Sequence, residues 1–561
     1  MSKSGKPNPN RAKNNPIKKQ EQAEMPNSMS TYIENNWHWI ALGLLIFIII
    51  IVRFRLLGIP LERDEGEYAY MGQLMLKGHA PYSMAYNMKY PGTAMMYAIL
   101  MSVFGQTASG VHLGLLATNI ASIVLIYLIG STMMSRVAGL VAAICFGMLS
   151  LGYHVLGFAL HATHFVSLFA LLGAWMMLKA IRSEKSSLYF WSGGLLSLSF
   201  LMKQPGIVFP VFGVIYVLLH HFYFTKEAHI DRFKFLAWMT LGLIAPVVLI
   251  LLWIFIGGSF DQFWFWTYTY LKEYGTSVKW STGKGYLIDT FGLITSGTAL
   301  IWISAGLGLI FCIFKSDLPK EFKIFLWLFF GFSALTVVPG FYFRAHYFIT
   351  VLPSIALLCG SMVYMLSTQS YFSKKMGSYA GIILLSLGVM SAINSDNKYL
   401  FKTSPDMISR EKYGMNPFVE SEEIGRYIKR NSTKDDKIVV FGSEPQITFY
   451  ADRISATGHI YTYGLMEAHA LSGKMQDEMI QEIEAGKPKY FVYVSVSTSW
   501  TRQEYSLNKI FDWSNEYLSK YYTKVGVVDL ISKTQTVYKW DNEALGYTCQ
   551  SPYFIYIFRR L

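Results

Sequence analysis

Charge is what this sequence has least of. Asp, Glu, Lys and Arg make up 15% of its residues, against about 25% in soluble globular proteins. A chain that is also 52% hydrophobic cannot cover its apolar surface with so few polar groups, so a water-soluble globule is excluded. Cysteine is nearly absent. Cys145, Cys312 and Cys359 sit inside apolar runs and Cys549 stands alone near the end. No disulfide framework can be drawn from them, and no CxxC pair is present to bind a metal or cycle redox. No internal repeat suggests the inverted halves of a secondary transporter. The net charge of +13 does not mark a nucleic-acid face, because the basic residues fall in short clusters between apolar runs.

What fills the sequence instead is a succession of apolar segments. A helix needs about 20 mostly apolar residues to cross a hydrocarbon core roughly 30 Å thick. Eleven runs are read as spans: 38–57, 108–130, 136–153, 158–180, 188–203, 205–223, 234–257, 289–314, 322–338, 345–366 and 376–394. The stretch 91–105 is apolar but short. Taken as a half-buried interfacial helix, it leaves Arg136 and the clusters Lys179/Arg182/Lys185, Lys226/Arg232/Lys234, Lys315/Lys320/Lys323 and Lys374/Lys375 on the side of the N-terminal tail. That tail carries Lys3, Lys6, Arg11, Lys13, Lys18 and Lys19, while the short loops opposite keep little that is basic beyond Lys203 and Arg344. Counting 91–105 as a span would invert this asymmetry, which is the positive-inside bias.

The expected architecture is a polytopic α-helical membrane protein of about eleven spans with a C-terminal soluble α/β domain. It is expected in a bacterial cytoplasmic (inner) membrane, with its N-terminus cytoplasmic. Residues 1–36 are polar and rich in Lys, Asn and Pro, and are expected to form a disordered cytoplasmic tail. The run that follows starts late and lacks a small-residue cleavage site, so it is read as an uncleaved first span. Residues 37–394 form the transmembrane domain, with outer loops 58–107 and 258–288. Residues 395–561 form the extracytoplasmic domain. Its expected strands at 438–442, 490–496, 525–530, 536–540 and 554–558 alternate with amphipathic helices at 418–431 and 474–486.

Chemistry concentrates in Glu62-Arg63-Asp64-Glu65-Gly66-Glu67, where four carboxylates and one arginine follow the first span directly. Tyr68, Met71, Leu74 and Met75 come next at helical spacing, so a juxtamembrane amphipathic helix is expected to begin here. Asp64-x-x-Glu67 has the form of a capping box, a purely structural use for two of the carboxylates. Capping and catalysis are compatible, since a capped carboxylate is rigidly aimed.

The loop continues with Gly78-His79-Ala80-Pro81-Tyr82 and Lys89-Tyr90-Pro91-Gly92. An acidic pair after the first span, a helix ending in G-x-x-P-Y, a K-x-P-G element and an apolar stretch ending in Phe104-Gly105 together resemble the first outer loop of the GT-C glycosyltransferases. The nearest resemblance is to the bacterial branch related to protein O-mannosyltransferases and lipid A aminoarabinose transferases. It continues in Ser199-Phe200-Leu201-Met202-Lys203-Gln204-Pro205-Gly206, in Arg344-Ala345-His346-Tyr347 through Pro353, and in Val440-Phe441-Gly442-Ser443-Glu444-Pro445 through Asp452-Arg453. Tyr90 departs from the pattern, because many relatives have a second proline there, and His161-Ala162-Thr163-His164 matches no familiar motif. Both bear on donor and acceptor identity more than on reaction type.

The resemblance implies an inverting glycosyltransferase, a hexosyl- or pentosyltransferase, that moves a sugar from a polyprenyl-phosphate donor to a hydroxyl. The acceptor would be an extracytoplasmic lipid, protein or cell-envelope glycan. Asp64 is the implied catalytic base, with Glu65 positioning the acceptor or supporting Asp64. Such transfer needs a carboxylate to accept the acceptor proton and cations to stabilise the departing phosphate. Lys89, Lys203 and Arg344 are the candidate phosphate ligands, with Arg63, Tyr82, His346 and Tyr347 as further substrate contacts. Snorkelling to the interface would equally account for Lys203 and Arg344. Partners are the lipid-linked donor, the hydroxyl acceptor and membrane lipids, with no nucleic acid.

No cofactor is required on this reading, and a divalent metal stays open. His161 and His164, three apart on one helical face, are the metal candidates, although a histidine pair with no third ligand is more often polar lining. The stretch 259–282 is dense in aromatics, which suit either an interfacial anchoring belt or a lid that stacks on sugar rings. The alternative function is a polytopic transporter or flippase of a lipid-linked or small substrate. Such proteins place polar residues near mid-membrane, whereas here they gather at one face. A membrane scaffold would leave the acidic loop unaccounted for.

Overall fold

The computed structural model describes residues 1–2, 29–224, 229–275, 278–313, 318–368 and 374–561, the side chains of 29–34, 229–232 and 374–375 excepted. Most of the expected tail, with its six basic residues, lies outside the described residues, as do Lys226 and Lys315 and the side chains of Arg232, Lys374 and Lys375.

Helices stand at all eleven expected positions, but they are unequal. Six are long and apolar enough to cross a membrane: Asn35–Leu56, Ala108–Met133, Ala162–Ser183, Gln204–Phe224, Phe233–Ile256 and Met376–Phe401. The first belongs to α1 (Met29–Leu56), which starts at Met29, inside the stretch assigned to the tail. Arg136–Leu151, Ser186–Met202, Lys320–Leu335 and Leu352–Thr368 have 16 or 17 residues. At a rise of 1.5 Å per residue they reach only about 24–26 Å. Leu352–Thr368 is buried along most of its length, so neighbouring helices rather than lipid satisfy its surface. The expected span 289–314 is broken. Trp280–Thr295 and Ala299–Phe311 meet at 106°, across a break where Gly297 takes φ +74°. By length and composition alone, six helices among the described residues pass as crossing helices, or seven with the bent pair counted as one, and shorter apolar helices stand at the remaining expected positions.

Between α1 and the next long helix lie α2 (Arg63–Leu76) and α3 (Gly92–Phe104). At 13 residues α3 is about 20 Å long, below spanning length. The segment 258–288 is not a loop but a run of short helices, including a π-helix at Phe265–Tyr270.

The C-terminal domain carries one six-stranded sheet: β1 (Lys437–Phe441), β2 (Ile454–Ser455), β3 (Tyr490–Ser495), β4 (Tyr522–Ser532), β5 (Gln535–Trp540) and β6 (Phe554–Arg560), in the order β2-β1-β3-β6-β4-β5. β1 pairs in parallel with β2 and β3, and the remaining pairings are antiparallel. Period-2 alternation divides the strands between two cores. Val439, Phe441 and Phe491 face one side with Met475, Met479 and Ile510; Ile438, Val440, Val492 and Val494 face the other with Ile424, Ile428 and Ile447. Five of the six strands and the helices Phe418–Arg430 and Ser472–Gly486 match the sequence expectation, and β2, two residues long, was not expected.

The C-terminal domain docks on α2. The amide of Ser455 donates to Tyr70 Oη at 2.7 Å, that of Leu61 donates to Tyr450 Oη at 3.2 Å, and Lys77 pairs with Asp452 at 2.8 Å. Gly66 makes the close approach possible, because a Cβ there would lie 2.7 Å from the Gln446 amide nitrogen.

Candidate active site

The first turn of α2 sends its four charged residues in different directions. The N-cap is Glu62, not Asp64: its carboxylate accepts from the Glu65 amide at 3.0 Å, while Glu65 reaches back to the Glu62 amide at 3.4 Å. The capping box is thus Glu62-x-x-Glu65, two residues before the one expected, and Asp64 and Glu67 are released from that duty. Glu65 does not line the cavity described below. Its other oxygen accepts from the Leu160 amide at 2.7 Å and meets His112 Nε2 at 3.2 Å, so it ties α2 to the turn before His161. Arg63 points away from the cavity into the C-terminal domain. It donates to the Ser443 carbonyl, to Glu444, to Tyr463 Oη at 2.8 Å and to Asn416 at 2.9 Å. A guanidinium so fully paired and buried is a rivet between domains rather than a substrate ligand.

Asp64 and Glu67, one helical turn apart, both reach Lys89 Nζ, at 3.3 and 3.1 Å. Lys89 is itself held from several sides. Its amide donates to Asn87 at 2.8 Å, its carbonyl accepts from Tyr82 Oη at 2.7 Å, and its ammonium lies 4.6 Å from the Tyr68 ring centre. Tyr82 therefore supports Lys89 from behind and is absent from the cavity wall. Burial on its own would raise the Asp64 carboxyl. Lys89 foremost, followed by His161, Arg344 and Lys203, outweighs burial and holds it below its ordinary value. For Glu67 burial wins over the same lysine, and the carboxyl is raised.

These groups face a cavity of about 500 Å³ between the membrane helices and the C-terminal domain, a volume typical of small-molecule sites. Asp64, Lys89, Lys203, Arg344, His346, Tyr347 and His161, all expected at the site, line it. Lys203 is the extended residue that ends Ser186–Met202 ahead of Gln204–Ile207, and its ammonium sits 3.7 Å from the Tyr347 ring centre. Gln204 ties that turn to Met88 through its carbonyl at 2.6 Å. Arg344 follows a turn in which Phe341 and Phe343 take φ +55° and +43°. Backbone held in this region by bulky residues costs about 1–3 kcal/mol each and gathers at functional sites. The guanidinium is exposed towards the cavity beside Tyr342, and the tyrosines facing it raise its already high pKa.

His161 and His346 stack face to face, 4.2 Å between ring centres. With Asp64 they form a group of three donors whose ligand atoms lie within 4.8 Å of one another. Both ring nitrogens of His161 are buried without a hydrogen-bond partner. One carboxylate and two imidazoles fit a divalent cation, which would here polarise an oxygen of the reacting group. Of the two histidines named as metal candidates, His164 belongs neither to this group nor to the cavity wall, and the partner of His161 is instead His346, 185 residues further along the chain from it.

Comparison with known proteins now adds two findings. Residues 88–253 match the family described as dolichyl-phosphate-mannose-protein mannosyltransferase. Among solved structures, the apo oligosaccharyltransferase of Archaeoglobus fulgidus is similar over 91% of this chain and 75% of its own, with 12% identity and a TM-score of 0.55. ArnT from Cupriavidus metallidurans bound to undecaprenyl phosphate is similar over 81% of this chain and 93% of its own, at 12% identity and a TM-score of 0.53. The fold is the one shared with these two membrane proteins, the oligosaccharyltransferase and ArnT. The oligosaccharyltransferase is also known in complex with Zn and sulfate, a structure similar over 89% of this chain and 73% of its own at 12% identity and a TM-score of 0.52. No curated protein matches by sequence. The family match takes in Lys89, His161 and Lys203 and leaves out Asp64 and Arg344, so those two stand at the cavity on geometry alone.

The cavity also recruits residues beyond the expected catalytic and phosphate-binding set. Glu67 is one, and its signal was available, because position i+3 from Asp64 shares its helical face. Asn87, Tyr461, Tyr463 and Glu467 are others, while Trp266, Tyr270 and Tyr274 come from the aromatic stretch read as either a belt or a lid. The aromatic stretch divides its labour. Trp264 and Tyr268 point outward, 50% and 62% exposed, whereas Trp266 and Tyr270 face the cavity.

Proposed function

We propose that this protein is an inverting glycosyltransferase that moves a sugar from a polyprenyl-phosphate donor to a hydroxyl of an extracytoplasmic acceptor. The observation that carries the reading is one carboxylate, Asp64, held against Lys89 in a cavity onto which Lys203 and Arg344 also converge. Asp64 accepts the proton of the acceptor hydroxyl. The acceptor oxygen then bonds to the anomeric carbon as the carbon–oxygen bond to phosphate breaks, and the bonding pair leaves with the phosphate. Displacement from the opposite face inverts the anomeric centre.

Lys203 and Arg344 stabilise the departing charge, the arginine through paired N–H donors and the lysine as a point charge. An incoming phosphate anion competes with Asp64 for Lys89. Drawing Lys89 away removes the charge that depresses the Asp64 carboxyl most, and so makes it a stronger base when the donor is in place. The solved ArnT complex with undecaprenyl phosphate supports a lipid phosphate as ligand of this fold. The basic clusters on the tail side support a bacterial cytoplasmic membrane, with the N-terminus cytoplasmic and residues 395–561 outside.

The test incubates purified protein in nanodiscs, and an Asp64→Asn variant, with radiolabelled polyprenyl-phosphate sugars and an envelope acceptor fraction. Label transfer by the native protein, reduced at least about 100-fold in the variant, is expected. Equal transfer by both would remove Asp64 as the base. Labelled donor that crosses a bilayer without being cleaved would favour a flippase.

A further inference from the structure

Five aromatic rings that line the cavity form a continuous string. Tyr86 stacks on Trp266 at 5.6 Å between ring centres, Trp266 meets Tyr270 at 5.2 Å, Tyr270 meets Tyr274 at 6.5 Å, and Tyr274 stacks on Tyr342 at 5.0 Å. Arg344 closes one end, 5.5 Å from the Tyr342 ring. The other end passes beneath the C-terminal domain, where Tyr86 Oη donates to Glu482 at 2.6 Å. The π-helix at Phe265–Tyr270 aims Trp266 and Tyr270 inward together, an irregularity often found at functional sites.

The string is built for hydroxyl-bearing rings. Other lining residues, Ala162, Pro205, Ile207, Val208 and Pro339, are aliphatic and suit a lipid. The string contributes tyrosines where phenylalanine would serve a lipid equally well, and a carboxylate lies beside it. Glu467 accepts from Tyr270 Oη at 2.9 Å. Gly464 makes room for that contact, since a Cβ there would lie 2.9 Å from Tyr270 Oη. Aromatic faces pack on the C–H face of a pyranose, and phenol and carboxylate groups bond its hydroxyls. Five rings at this spacing outrun a single pyranose, so the donor sugar does not fill them.

We propose that the string is the acceptor subsite and that the acceptor is a neutral saccharide, which lies along Trp266 and Tyr270 with Glu467 as its hydroxyl-bonding carboxylate. The donor sugar then occupies the Tyr274–Tyr342 end beside Arg344. This rests on the transferase reading above and narrows its acceptor from lipid, protein or glycan to glycan.

The experiment titrates nanodisc-embedded protein with neutral disaccharides (cellobiose, mannobiose, diacetylchitobiose), with a serine/threonine octapeptide, and separately with undecaprenyl phosphate. Tryptophan fluorescence is read for the native chain and for Trp266→Phe, which keeps a ring in the string. Saturable quenching by at least one disaccharide is expected in the native protein and is lost in Trp266→Phe. Glu467→Gln weakens that disaccharide about tenfold or more, the loss of a charged hydrogen-bond acceptor. Undecaprenyl phosphate binding, expected within twofold in all three proteins, shows that the cavity remains folded. Binding of the peptide with no disaccharide response overturns the saccharide assignment and leaves the transferase reading standing. Undecaprenyl phosphate binding with neither acceptor probe bound overturns it too, because the string then serves the donor alone. Failure of the native protein to bind undecaprenyl phosphate removes the transferase reading on which the assignment rests.

Discussion

Replacing Lys89 by Met should turn the Asp64–Glu67 pair from an asset into a pH-dependent liability. In the native protein one ammonium stands 3.3 Å from Asp64 and 3.1 Å from Glu67. At an effective dielectric constant near 20 each contact is worth about 5 kcal/mol before desolvation, and removing one partner of a buried pair costs about 3–5 kcal/mol. The cost is limited because the stranded pair can take up a proton, and Glu67, already raised by burial, takes it first.

The two proteins then respond to pH differently. Native Asp64 lies below its ordinary value, so its contribution to stability is present above the unfolded value of about 3.9 and is lost only as pH falls through the lower folded value. In Lys89→Met the pair is raised, so its contribution is complete below the unfolded value of about 4.3 and is lost as pH rises through the folded value. Thermal unfolding of the detergent-solubilised proteins between pH 5 and pH 8 reads this directly. The native midpoint should decline only through Glu67, whose carboxyl burial raises, whereas the variant should approach it near pH 5 and fall further below it at pH 8. Parallel curves for the two proteins would refute the claim that Lys89 compensates both carboxylates.

Other consequences follow from the same geometry. Arg63→Ala strands Glu444 in a buried socket and should cost about 3–5 kcal/mol; limited proteolysis should release a fragment containing the C-terminal domain faster than from the native chain, and an unchanged rate would show that the rivet is not needed. Arg344→Lys keeps the charge but loses the planar fork, so turnover should fall about tenfold, and Arg344→Ala should lower it about 100-fold or more; full turnover in both would take Arg344 off the phosphate. Lys89, Lys203 and Arg344 already supply positive charge around Asp64, so a chelator should change transfer less than about twofold. Loss of transfer that added Mn²⁺ or Mg²⁺ restores would instead place a catalytic cation on Asp64, His161 and His346.

Several features were legible along the chain because they depend on near neighbours. Alternating β-branched and aromatic residues marked β1, β3, β4, β5 and β6, and apolar runs marked every membrane helix, since burial on one face imposes a period that sequence can display. The acidic turn after α1, the Lys89 element, Lys203 and Arg344 were legible as unusual charges at the ends of apolar segments. Length was a weaker guide where helices pack on protein: Arg136–Leu151 has 16 residues, most of them buried among neighbours. It misled at 289–314, where Gly297 lets the chain turn through 106°.

The roles within the acidic turn were decided only by tertiary structure. Successive helical residues point about 100° apart, so Glu62, Arg63, Asp64 and Glu65 cannot share one surface. The sequence by itself determined that Asp64 and Glu67, three apart, share a helical face, but it left Arg63 and Glu65 among the expected site residues. Which face becomes the cavity was settled by the C-terminal domain, whose Glu444 and Ser443, about 380 residues away in sequence, capture Arg63 and turn Asp64 towards Lys89. The arrival of Tyr461, Tyr463 and Glu467 at the cavity depends on the same docking, and the stacking of His161 on His346 depends on the packing of the membrane helices. Contacts between residues so far apart leave no local period or spacing to read, because only the packing of whole elements brings them together.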